Sequence, residues 1–406
     1  MSNQNQFPPL SRRDFIKAVG LATGALALNP LDLFADNSPL SSATVLPRVP
    51  RPLTLGTLLP RSTLYPGLGK NWSAGMEFYF RQSGGAPVAL RADDSADLLV
   101  GIGGANVVAP SQRAWLIAND AGANVLRRDE ASPNIFHNSL GYWQANAAMG
   151  NWTAQRLGRK AFVASSFYES GYDSLYAFQL GFENAGGQVA QTFVAHVPPT
   201  ANDLPELIAA IRRAQPDFVY AFFSGARAVD FMRAYADAGL IDQIPLAGSA
   251  FLVDEMLLPQ LGNAALGIHS GLSWSPTLPT VENQTFFAAF QKMTGRAPDA
   301  FAVLGYDTAR WIAEALNQVG GDLTQSAQLR QAFRAVKFAS PRGAFAIDAA
   351  TQTSATPLYL RQVQARDGKL VNQVLGKLEP VSENDARIAE WRIAVRTGWT
   401  HAYLGV

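Results

Sequence analysis

Short β-forming runs alternate with amphipathic helical patterns from Leu53 onwards, and this alternation limits the possible folds more than any other feature. In the first unit, an extended run at 53–59 precedes a helix with one apolar stripe. The stripe comprises Trp72, Met76, Tyr79 and Phe80. Later strands are predicted at 161–164, 189–194 and 218–222. The pattern predicts an α/β fold in which crossover helices join mainly parallel sheets and cover both of their faces.

One region departs from this alternation. Residues 88–91 and 98–102 both have the character of strands, but only residues 92–97 separate them. That is about half the length that a helical crossover requires. Six extended residues reach roughly 20 Å, enough to run back along a short strand. We therefore expect a connection without a helix, beside a partly uncovered sheet edge.

Composition excludes several classes of function. The 33 Lys and Arg residues nearly balance the 32 Asp and Glu residues, which argues against nucleic acid or anionic lipid as a partner. The absence of cysteine excludes disulfides, thiolate metal sites and a cysteine nucleophile. The four histidines are too far apart in sequence to form a helical metal-binding pair. We expect neither a cofactor nor a metal.

The amino-terminal residues predict export. Arg12 and Arg13 precede a small apolar run at 18–28, about half as long as the roughly 20 residues that span a membrane. This pattern is typical of a twin-arginine signal peptide, although a chance arginine pair is an alternative. We assign 1–35 to the signal, with cleavage after Ala27 or Ala35, and 36–52 to a linker. The expected location is the periplasm, and the expected export partner is the twin-arginine translocon.

Several short motifs carry a family resemblance. They are the segments 56–60, 65–69, 168–173, 215–220, 301–309, 338–343 and 345–348. In this order they resemble the solute-binding proteins of branched-chain amino acid ABC importers, which have the type I periplasmic-binding-protein fold of the leucine-binding protein. The resemblance implies two lobes, a ligand cleft between them and an importer permease as partner. Lobe 1 would comprise 53–140 plus 273–341, lobe 2 would comprise 141–272 plus 342–380, and 381–406 would form a tail helix.

The candidate ligand-binding residues follow predicted strands, where such folds bind their ligands. They are Tyr65, Gly103, Gly104, Ala105, Asn106, Arg128, Tyr168, Phe223, Ser224, Ser249 and Phe251. The backbone N–H groups of 103–106 could hold a carboxylate, or this segment could be a simple tight turn. It is not a dinucleotide fingerprint, because Asn106 occupies the last glycine position. Arg128 could bind a carboxylate, or it could pair with Asp129 or Glu130 at the surface.

One position and the aromatic character of the cleft bear on the ligand class. The resemblance implies an acidic residue for the ammonium group of an amino acid, and Ser249 occupies that position. A buried ammonium without a counter-ion is costly, which argues against an amino acid. Because several candidate residues of the cleft are aromatic, we predict an apolar or aromatic carboxylate or amide, with an amino acid as the second choice. Trp274 could cover such a ligand or belong to the core.

No catalytic constellation is evident in the sequence, since no serine has an identifiable histidine partner or lies in a G-x-S-x-G turn. We therefore expect a monomeric binding protein and not an enzyme. Two alternatives remain: a ligand-sensing adaptor of the same fold, and an exported enzyme that depends on a cofactor.

Overall fold

The computed structural model contains two α/β lobes, each built on its own sheet. It describes residues 46–59, 67–92, 96, 98–102, 115–122, 133–167, 174–196 and 200–380. The predicted signal with Arg12 and Arg13, most of the linker and the tail at 381–406 lie outside these residues. No helix in the described part of the chain is long and apolar enough to cross a membrane.

The sheet of the first lobe has eight described strands in the order β11-β12-β13-β5-β4-β3-β1-β2. They are β1 Leu53–Leu58, β2 Val88–Arg91, β3 Leu98–Ile102, β4 Trp115–Asp120, β5 Ile135–Ser139, β11 Phe338–Ser340, β12 Gly343–Asp348 and β13 Thr353–Ala355. Strands β1 to β5 are parallel, and β11 to β13 add an antiparallel edge. The two strands predicted on either side of 92–97 are confirmed, and β2 forms a half-buried sheet edge.

The sheet of the second lobe has seven described strands in the order β15-β14-β10-β9-β8-β6-β7. They are β6 Lys160–Ser166, β7 Gln188–Ala195, β8 Phe218–Phe222, β9 Leu246–Gly248, β10 His269–Leu272, β14 Leu358–Arg366 and β15 Lys369–Leu378. Strands β6 to β10 are parallel, and β14 and β15 complete the sheet in antiparallel orientation. Both sheets are therefore mainly parallel, as the alternating sequence predicts.

The described helices connect these strands. They are α1 Leu68–Ser83, α2 Tyr142–Arg156, α3 Ser174–Asn184, α4 Asp203–Ala214, α5 Gly225–Asp237, α6 Leu258–Leu261, α7 Val281–Thr294, α8 Ala300–Gln318 and α9 Ser326–Ala335. In α1, Trp72, Met76 and Tyr79 of the predicted stripe are buried, whereas Phe80 is only partly buried.

One helix pair in each lobe packs unusually closely. A Cβ added to Gly75 of α1 would lie 1.9 Å from the carbonyl oxygen of Ala302 in α8. A Cβ added to Gly181 of α3 would lie 1.8 Å from the carbonyl oxygen of Ala147 in α2. Because backbone atoms cannot move aside cheaply, glycine is what allows these helices to approach each other.

The chain changes sheets after β5, after β10 and after β13. The sequence analysis placed residues 342–380 in the second lobe, and this is wrong for β12 and β13, which belong to the first sheet. The segment 340–343 is a hairpin turn: Ser340 pairs with Gly343 across antiparallel strands, and Gly343 has φ +102°. The boundary at 341/342 rested on the family resemblance, and the proline and glycine of this segment suit a hairpin turn as well as a crossing.

A fully buried arginine lies where the lobes join. The Nε of Arg342 donates to Asp307 Oδ2 at 2.7 Å, and its two Nη atoms donate to Ser139 O and Asn138 Oδ1, each at 2.8 Å. The Tyr359 hydroxyl of the second sheet donates to the carbonyl of Arg342 at 2.8 Å. We call Asn138, Ser139, Ser273, Asp307, Ser340 and Arg342 the crossing cluster. The Arg342 guanidinium makes charge-assisted bonds within the first lobe and a longer contact of 3.5 Å to Ser273 at the second crossing, whereas the Tyr359 bond from the second sheet is made to a backbone carbonyl.

Candidate functional site

A loop of the second lobe carries two of the candidate residues. It comprises residues 249–255, and we call it the site loop. Its Ser249 N–H donates to the carbonyl of Ala221 at 3.0 Å, so the loop begins beside the end of β8. The Ser249 Oγ is buried and has no hydrogen-bond partner among the described residues. A buried hydroxyl without a partner costs about 1–3 kcal/mol, so this atom is suited to bind an incoming polar group.

Aromatic rings meet across the two lobes beside this serine. Phe251 of the site loop lies 5.3 Å, between ring centroids, from Tyr142 at the start of α2. Phe251 also stacks on Phe301 at the start of α8, with centroids 6.1 Å apart and planes at 12°. Helix α8 packs along α1 in the first lobe, so this contact crosses from lobe to lobe. We call Tyr142, Phe251 and Phe301 the interlobe stack, and its geometry is that of favourable aromatic pairs.

Exposed apolar side chains also mark the ends of strands at this side. Leu59 follows β1 and is 42% exposed, Phe167 follows β6 and is 53% exposed, and Met256 follows the site loop and is 63% exposed. Parallel strands bind ligands at their carboxyl ends. These residues therefore give the cleft side an apolar character.

Carboxyl groups from both lobes lie near the site loop. Burial raises the pKa of Asp254 to about 8, and the nearby carboxylates of Glu255 and Asp299 act in the same direction. Asp299 begins α8 in the first lobe, where its Oδ1 accepts from the N–H of Ala302 at 2.8 Å. Burial also raises the pKa of Asp299. Burial therefore favours the neutral form of Asp254, whose hydroxyl can donate a hydrogen bond.

The structure places the other described candidates as follows. Phe223 stacks on Phe231 at 4.7 Å between centroids, inside the core of the second lobe, which favours a packing role. Ser224 is buried and precedes α5 without a side-chain capping bond. Trp274 is fully buried, and its Nε1 donates to Asn283 Oδ1 at 2.8 Å, so of its two alternatives it belongs to the core.

The remaining candidates lie outside the described residues and stay predictions. They are Tyr65, Gly103, Gly104, Ala105, Asn106, Arg128 and Tyr168.

Sequence reasoning missed several residues near the site. Tyr142 and Trp143 follow Gly141 directly after the first crossing, and their N–H groups donate to the carbonyls of Ala121 and Gly122 beyond β4. The buried Trp143 Nε1 has no hydrogen-bond partner in the described part of the chain. An aromatic pair after a glycine at a lobe crossing was the available signal. No cluster of three or more His, Cys, Asp or Glu suited to an ion occurs among the described residues.

Comparison with known proteins gives consistent results. A family model described as periplasmic binding protein matches residues 89–369. A Leu/Ile/Val-binding protein homolog 6 from Brucella melitensis is 28% identical over 65% of this chain and 67% of its own length.

Two solved structures are also similar. A solute-binding protein of an ABC transporter from R. palustris, in complex with benzoate, is 29% identical, covers 82% of this chain and 98% of its own, and has a TM-score of 0.70. Another, from Rhodopseudomonas palustris BisB5 in complex with 3,4-dihydroxybenzoic acid, is 25% identical, covers 82% and 99%, and has a TM-score of 0.69. With the family model matching well over half of its length, this chain belongs to the periplasmic binding protein family.

Proposed function

We propose that this solute-binding protein captures an aromatic or apolar carboxylate or amide between its lobes and delivers it to the permease of an ABC importer. The main support for this ligand class is the Ser249 Oγ, which has no hydrogen-bond partner among the described residues and lies beside the interlobe stack. An aromatic ring can pack against the stack, and a carboxylate oxygen can accept from the serine hydroxyl. The benzoate and dihydroxybenzoate complexes of the similar R. palustris proteins support this choice.

Capture of this kind depends on a difference in affinity between open and closed lobes. A ligand favours closure only if it binds the closed form better than the open form. Phe251 and Phe301 come from opposite lobes, so a ring packed against both gains its full contact only when the lobes are closed. The predicted carboxylate contacts at 103–106 and Arg128 would supply the corresponding bonds from the first lobe.

An amino acid is the second candidate ligand. The carboxyl groups of Glu255 and Asp299 lie near the site loop, which the sequence analysis did not anticipate. A carboxylate beside the ligand could hold an ammonium group. The name of the Brucella relative points in the same direction.

Export and assembly complete the proposal. We infer export by the twin-arginine route, on the pattern of Arg12 and Arg13, and action as a monomer without catalysis. Replacing both arginines by lysine should retain the protein in the cytoplasm, and fractionation of cells would detect it. Secretion of the variant at the normal level would contradict this route.

Binding is best tested by calorimetry and thermal unfolding of the purified full chain with benzoate, benzamide and leucine. A ligand at a hundredfold excess over its Kd stabilises the folded state by about 2.7 kcal/mol. We expect benzoate to bind and Ser249→Ala to weaken it at least tenfold, whereas Ser326→Ala, an exposed serine of α9, should leave affinity unchanged. Binding of leucine alone would replace the aromatic assignment with the amino acid. No binding by a folded protein would favour a sensor or cofactor-dependent role.

A further inference from the structure

A second buried arginine lies beneath the site loop. Arg361 of β14 is fully buried. One Nη donates to the carbonyl of Ala250 at 3.2 Å and to Ser270 Oγ at 3.1 Å. The other donates to Glu255 Oε1 and to the carbonyl of Trp274, both at 3.3 Å. The Arg361 guanidinium thus bonds both ends of the site loop. It also bonds the segment just after β10, where the chain leaves the second lobe.

The neighbouring strand β15 repeats these contacts. The Nδ2 of Asn372 donates to the carbonyl of Val253 at 2.8 Å and to Glu255 Oε1 at 2.9 Å. Its own carbonyl accepts from the hydroxyls of Ser275 and Thr277, which follow the second crossing. Glu255 is therefore shared by Arg361 and Asn372, and the same two residues bond both the loop and the crossing.

Stability alone does not explain this arrangement. Replacing a buried ion pair by apolar side chains is often neutral or stabilising, because desolvation offsets the attraction between the charges. The bonds of Arg361 are also long, and its Nε has no partner in the described part of the chain. The guanidinium instead fixes geometry, because its planar set of N–H donors holds several acceptors in defined positions relative to one another.

We propose that Arg361 is a positioning residue, which holds the site loop and the second crossing in a fixed arrangement. The position of Ser249 and Phe251 therefore depends on how the two lobes are joined. The effect on ligand binding rests on the proposed function. The effect on the conformation of the loop is independent of the proposed function.

Three variants of the full chain test this role. Arg361→Met removes the fork at similar bulk, and Arg361→Lys keeps a charge but loses the planar geometry. Arg310→Met is the matched control, because Arg310 is a buried arginine of the first lobe, bonded to Glu314 at 2.9 Å and to the carbonyl of Ala339 at 2.8 Å. Amide hydrogen exchange of the site loop is measured first, without ligand.

We expect exchange within the site loop to be at least tenfold faster in Arg361→Met, with Arg361→Lys between it and the wild type, and no such change in Arg310→Met. Unaltered exchange of the loop in both Arg361 variants would overturn the proposal. If Arg361→Met does not fold, the lysine variant alone decides the result.

Calorimetry with benzoate is the second measurement. The Kd should rise at least tenfold in Arg361→Met and change less than twofold in Arg310→Met. An equal loss of affinity in both variants would show a general effect of destabilisation and contradict positioning. If the wild type binds no benzoate, the proposed ligand class fails, whereas the exchange experiment still tests Arg361.

Discussion

Two buried arginines lie near the junction of the lobes, and their surroundings differ. Arg342 of the crossing cluster makes bonds of 2.7–2.8 Å to a carboxylate, a carbonyl and an amide oxygen. Arg361 makes only bonds of 3.1–3.3 Å and leaves its Nε unpartnered among the described residues. Well-satisfied polar networks specify one geometry, and incompletely satisfied ones leave bonding capacity. The bonds of Arg342 thus fix one geometry at the junction, whereas the bonds by which Arg361 holds the site loop are longer and leave one donor unused.

The largest expected loss in the free energy of unfolding comes from a substitution in the crossing cluster. Arg342→Met leaves the buried Asp307 carboxyl without its cationic partner, and breaking a buried pair in this way costs about 3–5 kcal/mol. Urea unfolding would measure this loss. Arg213→Met, at an exposed arginine of α4, should change the stability by no more than about 0.5 kcal/mol. A loss below about 1 kcal/mol in Arg342→Met would contradict the contrast between the two arginines.

The sequence predicted the sheets better than the junction. Strands such as β3 and β8 were predicted because each is a short run of β-forming residues, a local property. The lobe boundary at 341/342 was taken from the family resemblance, and it is wrong because 340–343 is a hairpin turn within the first lobe. The bond between Arg361 and Glu255 joins residues 106 positions apart. No local pattern connects them, so only the folded chain reveals how the site loop is held.

The second largest effect is expected on the pH dependence of the free energy of unfolding, through Asp254 of the site loop. The pKa of Asp254 is about 8 in the folded protein, above its value of about 4 in the unfolded chain, because burial disfavours the charged form. Between these values the folded state binds the extra proton, so stability is fully present at low pH and is lost as pH rises. The slope is at most about 1.4 kcal/mol per pH unit. Unfolding free energies from pH 5 to 7 measure it.

Asp254→Asn should flatten this pH dependence, since the amide oxygen can still accept from the N–H of Met256 while the titrating group is gone. Ser326→Ala, which removes no ionisable group, should leave the slope as in the wild type. Identical slopes in the wild type and Asp254→Asn would show that Asp254 does not titrate in this range.

The smallest expected change in the free energy of unfolding comes from replacing two buried serines, which can be compared directly. The Ser340 hydroxyl lies 2.8 Å from both carboxyl oxygens of Asp307 and accepts from the N–H of Arg342 at 2.9 Å, whereas the Ser249 hydroxyl has no partner in the described part of the chain. Ser340→Ala should therefore cost about 1.5 kcal/mol, because it leaves a charged acceptor and a backbone donor unsatisfied. Ser249→Ala removes only an unsatisfied group, so without ligand its unfolding free energy should stay within about 0.5 kcal/mol of the wild type or rise. Equal losses in the two variants would mean that Ser249 is already bonded, and the site loop would then hold no unused donor for a ligand.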